Sequence, residues 1–271
     1  MWWLSVKSCL KRSEEGKAMK YFSLMCMAAA LSAPAWAAPL MAEPETLRAE
    51  YCRSKTEPCS KVSVTRAKFK QTAYTHFADD VLKSRLYLTD LSRPALSRWI
   101  VAAAKPEKDM PYYVREYQAD VSLLGYTPEY WVLEDYYYEY TGGAYGIDSQ
   151  VFYVLPREGQ QTALTLPRIV LPGKMAELGR LQLAAWVQYL MNEGMSAQEI
   201  RGLLSDFKFV PTDNWRFSRN GLRFLFQSYE IAPDSMGRPQ LTLTLEQLQG
   251  IVRPEILREA ERYHVVASES E

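Results

Sequence analysis

Carboxylates clustered around a pair of glycines are the residues here that could do chemistry. Glu134, Asp135, Glu139 and Asp148 all lie near Gly142-Gly143. Acid–base cleavage of a glycosidic bond needs two carboxyl groups facing one cleft, about 5–10 Å apart. Neighbours on a strand point to opposite faces, so an extended Glu134-Asp135 cannot form that pair. Glu139 and Asp148 flank the glycines and are the pair to weigh, and a cell-wall hydrolase built on them is the alternative reading. The plain reading is solvated strand charges. Histidine, the commonest general base near neutral pH, occurs only as His76 and His264. There is no Gly-x-Ser-x-Gly elbow, phosphate loop, dinucleotide fingerprint or His-Glu-x-x-His pattern. The balance of residues points away from catalysis, and no cofactor or metal is expected.

Binding chemistry is better represented. The chain has Tyr 18 and Trp 7, and Tyr136-Tyr137-Tyr138-Glu139-Tyr140 concentrates rings on one stretch. Such a run serves as a stacking platform for sugars, as a protein-binding hot spot, or as the aromatic face of a strand in a core. Tyr140, Gly142, Gly143 and Tyr145 around the glycine turn are candidate ligand-binding residues. Tyr229, Pro233 and Asp234, on a stretch that reads as a loop between strands, are the others.

These residues need elements to hold them. Tyr112–Tyr126 and Tyr130–Tyr140 read as strands, with a turn from Gly125 to Pro128. Val151–Leu155 is apolar on both faces and reads as a central strand. Ser92 and Pro94 open a helix carrying Leu96, Trp99, Ile100 and Ala103. Residues 60–88 fit strand or helix. Met175, Leu178, Leu181, Ala185 and Leu190 recur near a 3.6 period, and Gly194 closes that helix. Ser196–Glu199 and Thr244–Gln247 are capping boxes. Asn220-Gly221 between two apolar runs reads as a hairpin turn, and Pro254 opens a last helix. Strands and helices do not alternate as βαβ units. The expected fold is α+β, with antiparallel sheets and helices packed on one face.

The N-terminus carries a different signal. Lys20 precedes a short apolar run that ends in Ala35-Trp36-Ala37, the pattern of a secretory signal peptide cleaved before Ala38. The expected organisation is a start-site extension at 1–18 and a signal peptide at 19–37. The N-terminal part of the ectodomain then runs over 38–110, its core over 111–255 and a terminal helix and tail over 256–271. Cys52 and Cys59 are the two cysteines after the leader, and an even pair in an oxidising compartment reads as a disulfide. Lys+Arg 32 against Asp+Glu 32 gives no net charge. The leader holds five basic residues (Lys7, Lys11, Arg12, Lys17, Lys20) against Glu14 and Glu15, so the exported chain is slightly acidic. That composition excludes a polybasic nucleic-acid binder, and no later apolar run is long enough to span a membrane. The expected location is the periplasm or the extracellular space.

Three stretches together carry a resemblance. They are Tyr138-Glu-Tyr-Thr-Gly-Gly-Ala-Tyr-Gly146, Gly221–Gly237 with its Ser228-Tyr-Glu-Ile-Ala-Pro233, and Leu241–Leu248. In order and spacing they resemble the extracytoplasmic domain of RsiV-type anti-sigma factors, also found in the non-catalytic part of PdaC-type peptidoglycan deacetylases. The resemblance covers roughly residues 110–255 and implies an α+β ligand-binding or sensing module without catalysis. Lysozyme is the partner it implies, and a cell-wall glycan fragment is the other candidate. The chain departs from the family pattern at Tyr145, where a His is usual, and at Asp234, where an aromatic residue is usual.

Overall fold

The computed structural model describes residues 42–52, 58–105, 114–159 and 161–266. The expected extension and signal peptide lie outside the described residues. Strands β1 (Ala42–Tyr51) and β2 (Ser60–Phe69) form an antiparallel hairpin. The expected disulfide closes it: Cys52 and Cys59 are bonded with Cα atoms 4.3 Å apart.

The ambiguous stretch after residue 60 divides into β2 and then helix α1 (Thr72–Leu86), which buries Tyr74, Ala78, Leu82 and Leu86 at helical spacing. Helix α2 (Arg93–Ala104) starts after Ser92 with Pro94 in its first turn. The chain then returns as β3 (Glu116–Tyr126), parallel to β2. This is the one parallel pairing among the described strands and departs from the expectation of no βαβ unit. Parallel neighbours cannot be joined by a hairpin and need a crossover, which α1 and α2 supply. The sequence hid it because β2 and α1 share an apolar pattern that fits both periods.

Strands β4 (Tyr130–Tyr140) and β5 (Ile147–Pro156) complete a sheet of order β1-β2-β3-β4-β5. The expectation that 151–155 is central is corrected, because β5 ends that path. Its apolar character follows from how its outer side is closed. Phe152 N–H donates to Asn214 Oδ1 at 2.9 Å and Gln150 N–H to Gln227 Oε1 at 3.1 Å. Both amide groups donate back to the Gln150 carbonyl, each at 2.7 Å. Leu164 N–H donates to the Val154 carbonyl at 2.8 Å. Two side-chain amides thus do the hydrogen bonding of a neighbouring strand.

The second half contains α3 (Leu166–Ile169), α4 (Met175–Asn192) and α5 (Ala197–Asp206). These precede a three-stranded antiparallel sheet of β6 (Trp215–Ser218), β7 (Gly221–Leu225) and β8 (Gln240–Thr244). Helices α6 (Leu245–Leu248) and α7 (Pro254–Glu261) and strand β9 (His264–Val265) follow. Both capping boxes form, with Ser196 and Thr244 accepting from the backbone of Glu199 and Gln247. The hairpin is offset by one residue from its expected position. Arg219-Asn220 make the turn, and Gly221 pairs with Ser218 as the first residue of β7. Gly221 is required for space as well as for its φ of 150°, since a Cβ there would lie 2.0 Å from the Leu243 carbonyl oxygen.

The core of this half is aromatic. Trp186, Phe217, Phe224 and Phe226 are fully buried, packed with Val132 and Val154 of the large sheet. The large sheet therefore has α1 and α2 on one face and the second half on the other. The fold is α+β, with mainly antiparallel sheets and seven helices among the described residues. No helix among those residues is long and apolar enough to cross a membrane.

Candidate functional site

Alternation along β4 decides which charged and aromatic groups can meet. Asp135 lies opposite Val151 of β5, and Tyr138 lies opposite Asp148. Glu134, Tyr136, Tyr138 and Tyr140 thus share a face with Asp148, while Asp135, Tyr137 and Glu139 occupy the helix-side face. Glu139 accepts a hydrogen bond from the Tyr137 hydroxyl on that face. Asp148 pairs on the other face with Arg238, at 3.0 Å. The pair weighed for glycosidic chemistry is therefore split across the sheet and cannot flank a single bond.

The glycine turn is a backbone device. Gly142 and Gly143 have φ of 103° and 102°, values an L side chain rarely adopts. The Tyr140 hydroxyl donates to the Gly143 carbonyl at 3.0 Å and pins the turn. Tyr145 then projects from it with its residue 71% exposed.

Asp148, three residues further on, ties in the second loop. One oxygen meets Arg238 Nε, and the other meets Ser228 Oγ at 3.5 Å. Gln227 is held by Gln150, and Arg238 lies over the Tyr136 ring, 5.2 Å from its centroid. Both ends of the 227–238 loop are thus fastened beside the strand that leaves the glycine turn. Tyr229 stands next to that anchor, 60% exposed and at φ 67°. Pro233 and Asp234 are half-buried on the middle of the loop, where the Asp234 carbonyl closes a 3-10 turn by accepting from Gly237 N–H at 2.8 Å. The hydrogen bonds join Tyr229's end of the loop to the strand and leave Asp234 on the loop's own turn.

The helix-side face holds residues that the sequence reading did not assemble. Asp135 is 1% exposed, and its Oδ2 accepts from Arg85 Nε and Nη2 of α1, both at 2.9 Å. Burial holds the Asp135 carboxyl above the usual aspartate value despite that partner. Arg85 also lies 5.5 Å from the centroid of Tyr137. Burial and the Glu139 charge push Tyr117 up to about 12, and burial with the Glu139 hydrogen bond raises Tyr137 as well. Between α1 and β4–β5, Arg85, Asp135 and Tyr137 line a cleft of about 620 Å³ together with Phe77 and Tyr153. A smaller cleft of about 140 Å³ lies by Trp99, Tyr117, Glu139 and Tyr140. One signal could have found the larger cleft. A carboxylate between Leu133 and Tyr137 on an apolar strand face calls for a cation on the element packed against it.

Metal-ligand chemistry is represented by Glu50, Cys52 and Cys59, whose donor atoms lie within 4.8 Å of one another. Both sulfurs are held in the disulfide, which leaves one exposed carboxylate as a donor.

Comparison with known proteins places part of the chain in context. Residues 174–246 match the family model described as a protein of unknown function, DUF3298. Two solved structures share the fold. A DUF3298 family protein from Pseudomonas aeruginosa PAO1 has 21% identity and a TM-score of 0.65, covering 80% of this chain and 96% of its own. A DUF3298 member from Bacteroides fragilis NCTC 9343 has 16% identity and a TM-score of 0.64, covering 81% and 97%. No curated protein matches the chain.

Proposed function

We propose that this chain is an exported, non-catalytic recognition module of the cell envelope. Its binding rim is the Gly142-Gly143 turn with the 227–238 loop, and its ligand is lysozyme or a peptidoglycan fragment. The observation that carries the reading is the pair of exposed rings, Tyr145 and Tyr229, on two segments fastened to one carboxylate, Asp148. Rigidly mounted, solvent-facing tyrosines give large contact area at low entropic cost, which is how binding hot spots are built. Glu230 and Asp234 place negative charge on the same loop, and a cationic protein such as lysozyme is complementary to that. The resemblance to RsiV-type ectodomains supports lysozyme over other cationic proteins. The separation of Glu139 from Asp148 supports binding over hydrolysis.

Calorimetry with lysozyme and with purified peptidoglycan fragments tests the ligand. The expected result is saturable binding to one of them that weakens at least tenfold in a Tyr145→Ala/Tyr229→Ala double variant. Binding that ignores both rings sinks the rim. Mass spectrometry of peptidoglycan after incubation tests the hydrolase reading. Products that vanish in Glu139→Gln and Asp148→Asn would restore it.

A further inference from the structure

The cleft under α1 is separate from the loop rim. It is lined by Phe77, Asp80, Arg85, Asp135, Tyr137 and Tyr153, among others, and its volume of about 620 Å³ is that of a small-molecule site. Its floor has unfinished hydrogen bonding. Asp135 Oδ2 takes both bonds from Arg85, while Oδ1 is buried with no partner among the described residues. A buried polar atom left unpaired costs free energy, so this carboxylate gains from a guest that brings a hydroxyl.

The walls add apolar faces of fixed orientation. Phe77 and Tyr153 meet edge to face with centroids 5.2 Å apart. Tyr137 meets Tyr117 in the same way at 5.2 Å, which carries the aromatic strip into the smaller cleft. The charges facing the space nearly cancel. Asp135 is matched by Arg85, and Asp80 by Lys83 at 2.8 Å. A cleft without net charge does not select an ion. It suits a neutral ring with C–H groups for the aromatic faces and hydroxyls for Asp135 and the Tyr153 hydroxyl.

We infer that the α1–β4–β5 cleft is a binding site for a neutral saccharide, one sugar ring lying against Phe77, Tyr137 and Tyr153 with a hydroxyl directed to Asp135. This site does not depend on the loop rim, and the experiment separates the two.

Calorimetry on the purified protein with the β-1,4-linked tetrasaccharides of N-acetylglucosamine and of glucose is the test. One of them is expected to bind saturably below about 1 mM, with an affinity that does not change between low and high salt. Tyr153→Ala should weaken that binding at least tenfold and Tyr153→Phe, which keeps the ring, about threefold. Tyr145→Ala on the loop rim should leave it unchanged. Thermal melting of each variant checks the fold, and the Tyr153→Phe result stands even where Tyr153→Ala does not fold. Three results would overturn the assignment: no saturable binding of either sugar, an affinity lost with salt, or binding lost in Tyr145→Ala and kept in both Tyr153 variants.

Discussion

Single side chains in the helix-side aromatic strip behave unlike free ones. Tyr117 is held near 12 by burial and by Glu139, and Tyr137 is raised as well, whereas an exposed tyrosine ionises near 10. An alkaline titration followed at 295 nm should therefore show these two hydroxyls still protonated at about pH 11, where exposed ones have ionised. Tyr117→Phe and Tyr137→Phe should each remove one late-titrating group and leave the early phase unchanged. At Gly221 a single methyl is the test. Gly221→Ala drives a Cβ into the Leu243 carbonyl and should cost about 2–4 kcal/mol in chemical denaturation, by clash and by unfavourable φ. At this scale the sequence was partly readable. The division of β4 into two faces follows from period two alone. The partners did not, because Arg85 and Asp135 come together only when α1 lies across the sheet.

Elements are joined at a few specific contacts. Strand β1 is held to β2 in part by Glu45, which meets Arg66 at 2.6 Å and Lys68 at 2.9 Å. The Lys68 hydrogen bond, then Arg66, lowers the Glu45 carboxyl below its ordinary value of 4.5. A depressed carboxyl stabilises the fold above its unfolded pKa, and that contribution fades as pH falls through the folded value. The protection of β1 amides, with exchange referred to the intrinsic rate at each pH, should therefore fall below about pH 4.5, and Glu45→Gln should remove that acid dependence. Helix starts were the elements most readable in sequence, since Ser196, Thr244, Pro94 and Pro254 act through local geometry. The place of β5 was not readable, because Asn214 and Gln227, which close its side, are polar residues distant in sequence. Asn214→Ala should expose the Phe152 and Gln150 backbone and lower stability by about 1–3 kcal/mol, measured by urea unfolding.

The whole molecule is stapled at one end and packed around aromatics at the other. Opening the Cys52–Cys59 loop, of sequence separation 7, in a Cys52→Ser/Cys59→Ser variant should cost about 2–3 kcal/mol and lower Tm by about 5–10 °C. Trp186→Ala, at a residue with no exposed surface, should cost about 3–5 kcal/mol. The fold class was legible because α+β character needs only the order of elements. The crossover was not, because parallel pairing is decided by packing rather than by local pattern.

Strand β9 bears on how the molecule is made. His264 and Val265 pair with Tyr126 and Gly125 of β3, beyond the stretch of β3 that β2 occupies. Gly125 admits them, since a Cβ there would lie 2.4 Å from the His264 carbonyl oxygen. A strand from the first half of the chain thus waits for some of the last described residues to arrive. Synthesis delivers a chain from its N-terminus, so the large sheet stays incomplete until residues 264–265 have emerged. A nascent chain halted before Tyr263 keeps that stretch of β3 bare and is open to proteolysis there, whereas a chain that includes β9 latches itself.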